Sequence, residues 1–589
     1  MQNGPDILTR WPALGVAAKS ARLERTCHIL PGPLAHVFAE NADAAGRAGA
    51  RLRRRDPSLW GDDPAVQEKI ASRLGWLSSP SLMADSLPRL QAFAASVKNQ
   101  HFTDIVLLGM GGSSLAPEVL RAVIGVAPSW PRFHMLDSTD PAAVLSAATP
   151  PETTLYILAS KSGGTIEPNV LAAHFRRRLE DARVSKWADH FVAITDHGTE
   201  LERRARAAGF REIFLNPGDI GGRYSVISFF GLVPAALMGV DVSELVGWAI
   251  AMLSACERPA AGAHGNPAVD LGLAIGAAAR AGHDKLTLVL PSSLETFGLW
   301  VEQLVAESTG KNGAGIVPIA GEALAGPAAY GPDRLFVRLR LSGSDADEAP
   351  ETDLRALTAA DAPIVDLEVP EPSAIGAEFV RWEVATAVAG ALLRVNPFDE
   401  PNVQQAKDST RVLLNQYQST GHLPVPAADR TMDIGISLTM SAAARRELGQ
   451  GGPETLLSLL ERGTYFALLT YLGPDRQLAE QLGRLRLAVR DRTQAATMWG
   501  YGPRYLHSTG QLHKGGPNTG VFLLVSATPR EDVPIPDEIF TFGILERAQA
   551  LGDFASLDAA GRRAVHAHLA APDPRLLAHL ADRLLAAVQ

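Results

Sequence analysis

The fold is decided by the stretch Ile105-Val106-Leu107-Leu108-Gly109-Met110-Gly111-Gly112-Ser113-Ser114. Its apolar start predicts a buried strand, and its glycines predict a sharp turn into a helix that begins near Pro117. A turn of this kind aims free backbone N–H groups at an anion. The stretch therefore predicts one unit of a parallel α/β sheet with a phosphate site at the turn. A tight strand-to-helix turn without a ligand is the alternative.

Short apolar runs recur along the chain, separated by helical patterns. Strands that alternate with helices are typical of parallel sheets covered on both faces. We therefore predict an α/β protein with two doubly wound parallel-sheet domains. The predicted strands are 105–108, 133–136, 155–159, 191–194 and 213–215 in a first series, 286–290, 335–341 and 364–369 in a second, and 466–472, 497–500 and 521–526 in a third.

A chain of 589 residues is long enough for several domains. Residues 1–84 show no run rich in β-forming residues, so we predict a helical N-terminal segment there. A first α/β domain is predicted at residues 85–250 and a second at 251–530. The last predicted segment is a helical tail at residues 531–589.

Composition excludes several classes of partner. Lys and Arg number 55 against 64 Asp and Glu, and the net charge of −9 argues against a nucleic acid. The longest apolar stretch, residues 227–240, is too short to span a membrane and is predicted to be a core helix. Cys27 and Cys256 form neither a disulfide framework nor a metal-ligand spacing, and residues 1–6 lack a secretory pattern. We therefore expect a cytoplasmic protein.

Hydroxyl side chains follow the strand predicted at 155–159, in the stretch Ser160-Lys161-Ser162-Gly163-Gly164-Thr165. Hydroxyls and N–H groups at the start of a helix form a neutral cradle for phosphate, and Lys161 adds a positive charge. A cluster of helix N-cap residues is the alternative. This stretch and residues 109–114 both follow predicted strands, and the carboxyl ends of parallel strands are where open α/β sheets bind ligands.

Two further stretches carry residues suited to acid–base chemistry. Arg223 follows a pair of glycines, and a fixed guanidinium suits an oxyanion, although an ion pair with Asp219 is the alternative. Gln303 and Glu307 lie four residues apart, which places them on one face of a helix. Apolar neighbours would keep Glu307 partly buried, as a proton-transfer base requires, whereas a solvated glutamate at a helix end is the alternative.

Together these motifs resemble the glucose-6-phosphate isomerase family, whose members contain two sugar-isomerase (SIS-type) domains. The resemblance spans roughly residues 104 to 525. Its specific marks are Gly-Gly-Ser at 111–113, Ser-Lys-Ser at 160–162, Gly-Gly-Arg-Tyr-Ser at 221–225 and Glu-Ser-x-Gly-Lys at 307–311. Two further family elements are Asn-Pro-Phe-Asp at 396–399, which leads to Lys407, and Leu-His-Ser-Thr-Gly-Gln at 506–511.

The resemblance implies a role for each of these residues. Glu307 would be the base and Arg223 the stabiliser of the enediol(ate), while Lys407 and His507 would serve ring opening. Lys161 and Gln303 would line the sugar. The phosphate would be held by Ser113, Ser160, Ser162 and Thr165, with Gly112 also at the substrate.

The activity that the resemblance implies is the interconversion of glucose 6-phosphate and fructose 6-phosphate through a cis-enediol. No metal is expected, since His507 and His513 stand six residues apart with no carboxylate cluster. No redox cofactor is expected, because the substrate carries its own carbonyl group. The resemblance also implies a homodimer in which the ring-opening histidine comes from the partner subunit.

Two alternative functions remain open. A non-catalytic sugar-phosphate sensor would need none of Arg223, Glu307 and His507, and their presence counts against it. A nucleotide-dependent dehydrogenase would use the turn at Gly109, with Asp137 at the end of the next strand as the ribose-binding acid.

The chain departs from the family in three respects. Glu400 stands where the family usually has glutamine, and an extra negative charge beside a phosphosugar is unfavourable unless it is paired. The histidine segment follows the Asn-Pro-Phe-Asp segment instead of preceding it, an order that resembles the isomerase half of bacterial transaldolase/glucose-6-phosphate isomerase fusions. Residues 1–84 offer no alternating barrel, so we predict the isomerase alone.

Overall fold

The predicted α/β class is confirmed: helices pack on sheets whose strand pairs are mostly parallel. The computed structural model describes residues 10–257, 265–343, 349–432 and 435–588. The prediction that residues 1–6 lack a secretory pattern therefore concerns residues outside the described ranges. The helices are α1 Val16–Leu23, α2 Ala35–Arg53, α3 Pro64–Ala71, α4 Ser79–Lys98, α5 Leu115–Val123, α6 Pro141–Ser146, α7 Ile166–Asp181, α8 Glu200–Ala208, α9 Phe229–Leu237, α10 Val242–Glu257, α11 Pro267–Arg280, α12 Glu295–Thr309, α13 Ala349–Ala359, α14 Ile375–Leu393, α15 Val403–Thr420, α16 Ala442–Leu448, α17 Arg476–Thr493, α18 Gly510–Gly515, α19 Phe542–Ala559 and α20 Pro574–Leu585.

Within the described residues the strands form three sheets, and each sheet contains one of the three predicted series of strands, which the sequence analysis assigned to two domains. Every predicted strand is present to within two residues at each end. The strands are β1 Cys27–Leu30, β2 Asp104–Leu108, β3 Arg132–Leu136, β4 Thr154–Ala159, β5 Phe191–Asp196, β6 Glu212–Asn216, β7 Lys285–Val289, β8 Val317–Ile319, β9 Arg334–Leu341, β10 Ile364–Val369, β11 Arg430–Met432, β12 Ile436–Met440, β13 Tyr465–Tyr471, β14 Ala496–Tyr501, β15 Gly520–Ala527 and β16 Arg563–Leu569.

The first sheet is parallel throughout and has the order β3-β2-β4-β5-β6. Leu108 at the end of β2 lies opposite Leu136 of β3 and Leu158 of β4. All residues of β2 and β4 are buried, as their nearly continuous apolar sequence requires. This register brings the turns that follow β2 and β4 to the same edge of the sheet.

The second sheet has the order β1-β10-β9-β7-β8, and β1 is antiparallel to β10. The prediction of an entirely helical segment at 1–84 is therefore wrong at Cys27–Leu30. Four residues with an alternating, half-exposed pattern carry little strand signal, and pairing with β10 decides their conformation.

The third sheet has the order β11-β12-β16-β15-β13-β14. Its strand β16 belongs to residues 531–589, so the prediction of a purely helical tail is wrong at Arg563–Leu569. This strand is parallel to β15 on one side and antiparallel to β12 on the other. The domain boundaries drawn at residues 84, 250 and 530 stay predictions.

The apolar stretch 227–240 forms α9, and every residue of that helix is buried, which confirms the predicted core helix. In the ranges that the structure describes, no helix combines the length and the apolar character needed to cross a membrane.

A buried ion pair anchors the chain next to β1. The side chains of Arg381 and Glu378 on α14 are fully buried and lie 3.0 Å apart. Arg381 also donates a hydrogen bond of 2.6 Å to Oγ1 of Thr26, the residue before β1. Burial raises the pKa of Glu378, so the charged form of this carboxylate depends on its cation.

Replacing Arg381 with Met tests this anchor. The variant leaves Glu378 buried without its cation, so we expect the free energy of unfolding to fall by about 3 kcal/mol. Urea unfolding followed by tryptophan fluorescence measures the change. The double variant Glu378→Leu/Arg381→Met removes both charges and should regain most of the loss. A double variant as unstable as the single one would contradict this role for the ion pair.

Candidate active site

A cavity of about 270 Å³ lies at the carboxyl ends of β2 and β4. Three other segments close it: α12, which follows β7 of the second sheet, the loop that follows α14, and the 3-10 turn Arg504–His507 that follows β14. All eleven residues predicted for the site line this cavity. They are Gly112, Ser113, Ser160, Lys161, Ser162, Thr165, Arg223, Gln303, Glu307, Lys407 and His507.

The glycines after β2 are required by close packing. Gly111 has a φ of +54°, and a Cβ on it would lie 2.8 Å from the carbonyl oxygen of His507. A Cβ on Gly112 would lie 2.0 Å from the carbonyl oxygen of Gly222. The turn therefore serves two purposes, since it lines the cavity and lets three backbone segments meet.

The hydroxyls after β4 lie together at the start of α7. Ser160 donates a hydrogen bond of 3.3 Å to Oγ1 of Thr165, and Oγ of Ser162 accepts one of 3.3 Å from the N–H of Gly164. Thr165 occupies the N-cap position, but its side chain accepts no capping hydrogen bond. The N-cap alternative therefore does not account for Thr165, which lines the cavity.

The ammonium of Lys161 is already paired. It lies 2.5 Å from Oδ2 of Asp196, at the end of the neighbouring strand β5. Among the described residues, Lys407 and Arg73 line the cavity without an ion pair. The sequence analysis overlooked Arg73, because a single arginine between α3 and α4 belongs to no motif.

The guanidinium of Arg223 is the most extensively bonded group in the site, and its side chain is only 3% exposed. Its Nε donates to Ser308 at 2.8 Å, and its Nη2 donates to the carbonyl oxygens of Pro397 at 2.8 Å and Asp399 at 2.9 Å. The alternative pairing with Asp219 is wrong, because the ion pairs of Arg223 are with Glu307 and Glu400.

Glu307 is buried at the end of α12, with Oε1 3.1 Å from Nη1 of Arg223. Burial raises the pKa of this carboxyl, while Arg223 opposes the shift and the charge of Glu400 adds to it. Gln303 donates to Oε2 of Glu307 at 3.3 Å and to the carbonyl oxygen of His507 at 2.7 Å. Among the described residues, nothing hydrogen-bonds the buried Oε1 of Gln303. A buried carboxylate and a buried amide oxygen without a partner among the described residues thus lie on one helix face.

Glu400, the departure from the family pattern, is paired. Its Oε2 accepts a hydrogen bond of 3.0 Å from Nη1 of Arg223. Although partial burial opposes the charged form, Arg223 lowers the pKa of Glu400. Its side chain is 43% exposed, against 11% for Glu307. Two carboxylates of different exposure therefore share one guanidinium nitrogen.

Lys311 holds the loop that carries Glu400. Its ammonium donates to the carbonyl oxygen of Asn396 at 2.8 Å and to Oδ1 of Asp399 at 2.7 Å. Burial, reinforced by the charge of Arg223, lowers the pKa of Lys311 to about 8. The ring of Phe398 packs edge-on against Trp60 at 4.9 Å, so the N-terminal segment supports the same loop.

His507 forms a hydrogen-bonded dyad with a buried carboxylate. Its Nε2 lies 3.1 Å from Oε1 of Glu167, and that oxygen also accepts a hydrogen bond of 2.8 Å from Gln549 on α19. Although burial opposes the charged form, His507 lowers the pKa of Glu167. The sequence analysis assigned no role to Glu167 or Gln549. The resemblance places a partner's histidine at this position, but here the chain's own His507 occupies it.

The turn that carries His507 is tied to the first sheet by an ion pair. Arg504 contacts Asp137 at the end of β3 with two nitrogens, each 2.7 Å from a carboxylate oxygen. Ser114 donates a third hydrogen bond to Asp137 at 3.1 Å. Asp137 is thus occupied by protein groups, which argues against its use as the ribose-binding acid of a dehydrogenase.

His513 lies apart from the cavity. It is buried beside Tyr465, whose hydroxyl is 3.2 Å from Nδ1. Burial lowers the pKa of His513 well below its usual value. Across the residues that the structure describes, no group of three or more His, Cys, Asp or Glu side chains is arranged to hold a metal ion.

The chain is similar to known proteins over about two thirds of its length. Residues 92–324 match the family model described as phosphoglucose isomerase. A glucose-6-phosphate isomerase of Cyanothece sp. is 30% identical over 463 residues, covering 66% of this chain and 87% of the relative. One from Thermosynechococcus vestitus is 29% identical over 431 residues, covering 66% and 79%. A crystal structure of a hypothetical protein from Thermus thermophilus has a TM-score of 0.53 at 25% identity, covering 66% of this chain and 99% of that one. The residues matched by the family model include the turns after β2 and β4, Arg223 and Glu307. The chain belongs to the glucose-6-phosphate isomerase family.

Proposed function

We propose that this protein is an aldose-ketose isomerase that interconverts glucose 6-phosphate and fructose 6-phosphate through a cis-enediol. The observation that carries the proposal is the buried carboxylate of Glu307 beside the guanidinium of Arg223, in a cavity that also holds a hydroxyl cradle. A base, an oxyanion stabiliser and an anion site are the groups that this reaction needs. The reaction requires no redox cofactor, because the substrate carries its own carbonyl group.

The phosphate would bind in the cradle. Hydroxyls of Ser160, Ser162 and Thr165 and backbone N–H groups after β2 would donate hydrogen bonds to its oxygens. Lys407 would add a positive charge at the rim. Since Lys161 is bound to Asp196, we do not assign its ammonium to the sugar.

Ring opening would use His507. The imidazole is hydrogen-bonded to Glu167, which fixes the orientation of the ring at the cavity. Proton transfer between the anomeric hydroxyl and the ring oxygen would then release the open-chain aldehyde, with Lys407 beside the reacting oxygens.

The isomerisation step would use Glu307. Its carboxylate removes the proton from C2, negative charge develops on O1, and the cis-enediol(ate) forms. Glu307 then delivers a proton to C1 while the hydroxyl proton of O2 passes to O1, which leaves a carbonyl at C2. A pKa raised by burial makes Glu307 a stronger base than an ordinary glutamate. Arg223 would stabilise the negative charge on the enediol oxygens, and Oε1 of Gln303 would accept a hydrogen bond from a sugar hydroxyl.

The regulatory alternative is less well supported. A sugar-phosphate sensor needs an anion cradle but no buried base beside an arginine, and burying such a pair costs free energy. We also propose that the protein is cytoplasmic, forms a homodimer and acts in glycolysis and gluconeogenesis. Incubation of the protein with fructose 6-phosphate, with products identified by NMR, tests the proposed function directly.

Glu307→Gln should keep the fold and the affinity for the phosphosugar but lower kcat by at least ~10²-fold, because the amide cannot accept the C2 proton. The sharper measurement is exchange. The wild type should introduce solvent deuterium at C2 of glucose 6-phosphate or C1 of fructose 6-phosphate, and the variant should not. Exchange at the wild-type rate in Glu307→Gln would assign the base to another residue, and Glu400 would be tested next.

Removing the cradle hydroxyls should affect binding more than chemistry. In Ser160→Ala/Thr165→Val, we expect a higher KM with a smaller fall in kcat, because the cradle holds the phosphate equally in the ground and transition states. Steady-state kinetics with fructose 6-phosphate measure both constants. Ser138→Ala, which changes a hydroxyl outside this cavity, is the control. An unchanged KM in the double variant would show that these hydroxyls do not bind phosphate.

Mixing two inactive variants tests whether one chain completes its own site. Because His507 and Glu307 of the same chain line one cavity, a mixture of Glu307→Gln and His507→Ala subunits should stay inactive after joint unfolding and refolding. The wild type, refolded in parallel, is the control for recovery. A site shared between subunits would instead regenerate activity in the mixture and would contradict this arrangement.

A further inference from the structure

The hydrogen bonds of Arg223 leave little capacity for a ligand. A guanidinium has five N–H donors. With described residues Arg223 makes four hydrogen bonds, to Ser308, Pro397, Asp399 and Glu400. The nitrogen that bonds Glu400 also lies 3.1 Å from Glu307. Nη1 is therefore enclosed between two carboxylates.

The reacting oxygens of the sugar must approach this same nitrogen. Glu307 has to reach the protons on C1 and C2, so O1 and O2 lie next to its carboxylate during the reaction. Nη1 of Arg223 is the nitrogen in contact with Glu307, whereas Nε and Nη2 are bound to Ser308 and to backbone carbonyls. Stabilisation of the enediolate by Arg223 thus requires one carboxylate to leave Nη1.

Glu400 is the carboxylate that can leave. Its side chain is 43% exposed, and it lies on a loop, whereas the side chain of Glu307 is 11% exposed and lies on α12. Water can solvate Glu400 after the contact breaks, but Glu307 would remain buried. Breaking the Glu307 contact would therefore cost more free energy.

We propose that Glu400 is a displaceable carboxylate that occupies Nη1 of Arg223 in the free enzyme and yields this position to the substrate oxygen that becomes negatively charged. The inference rests on the proposed isomerase function. Glu400 is thus a positioning residue, which keeps Arg223 paired and in place until the sugar arrives.

The surroundings provide a second cation for the displaced group. Arg73 lines the same cavity, makes no ion pair with any described residue, and contributes to the lowered pKa of Glu400. The other charged groups around Glu400 are Arg223 and Lys311, which favour its ionised form, and Glu307 and Asp399, which oppose it. Arg73 and Lys311 therefore still favour the charged form of Glu400 after Arg223 has released it.

The experiment compares the wild type with Glu400→Gln, using two competitive inhibitors. One is 5-phospho-D-arabinonate, whose planar carboxylate resembles the cis-enediolate and must contact Arg223. The other is inorganic phosphate, which occupies the cradle alone. An amide binds a guanidinium more weakly than a carboxylate does, so we expect the variant to bind 5-phospho-D-arabinonate about five- to tenfold more tightly and phosphate less than about twofold more tightly.

Asp399→Asn is the matched control. It removes a carboxylate charge from the same loop, but that carboxylate contacts Lys311 and not the guanidinium. We expect it to change the affinities for both inhibitors by the same small factor. The acid limb of kcat/KM provides an independent measurement. Since the charge of Glu400 raises the pKa of Glu307, Glu400→Gln should lower that pKa and move the limb to lower pH.

Three results would overturn the inference. If Glu400→Gln bound both inhibitors more tightly by the same factor, the change in net charge alone would explain the effect. Weaker binding of 5-phospho-D-arabinonate would show that Glu400 holds the ligand itself, and an unmoved acid limb would show that the two carboxylates do not act on each other through Arg223. A wild type that fails to isomerise fructose 6-phosphate would overturn the proposed function, and this inference with it, whereas an active wild type with unaltered inhibitor selectivity in Glu400→Gln would overturn the inference alone.

Discussion

The site is organised around the buried charge of Arg223. A guanidinium removed from water must find compensating acceptors, or burying it costs several kcal/mol. Its acceptors come from the end of α12 and from the loop after α14, while the arginine itself follows the first sheet. The hydrogen bonds and ion pairs of this one buried cation therefore hold α12 and the loop after α14 against the segment that follows the first sheet. The position of Glu307 beside the cavity follows from the same requirement.

A second constraint is the close approach of backbone segments. Gly111 and Gly112 lie so near to His507 and Gly222 that a side chain on either glycine would displace them. The Arg504–Asp137 ion pair then holds the turn from the third sheet against the first. Because that turn comes from the same chain, the histidine reaches the cavity without a neighbouring subunit. The reversed order of the two motifs is compatible with the site because the third sheet lies beside the first.

The sequence predicted most strands because continuous apolar runs bounded by glycine and proline have few other interpretations. It did not predict β1, whose conformation depends on pairing with β10 more than three hundred residues away. Likewise, β16 contains two histidines among short apolar residues, and this pattern does not distinguish a strand from an Ala-rich helix. Periodicity reports local burial, so it overlooks a strand such as β1, whose conformation depends on a distant partner.

The same distinction applies to the site. Motif residues such as Ser160 and Glu307 could be predicted because neighbouring residues identify them. The sequence analysis placed Lys161 at the sugar and did not predict its ion pair with Asp196. The two residues come together because β4 and β5 are paired in the sheet. No sequence motif marks Arg73, Glu167 or Gln549. Their places in the site depend on contacts with residues that are distant in the sequence.

The distribution of charge explains why the proposed phosphate cradle consists mainly of neutral groups. A cation placed next to Glu307 lowers the pKa of that carboxyl, as Arg223 already does, and so weakens it as a base. Hydroxyls and N–H groups bind a phosphate without this penalty. The ion pair with Asp196 cancels the charge of Lys161 close to the proposed cradle. Lys407 and Arg73, which line the cavity without an ion pair to a described residue, belong to other elements. The arrangement lets the cavity attract a dianion while burial, the largest influence on Glu307, keeps its pKa raised.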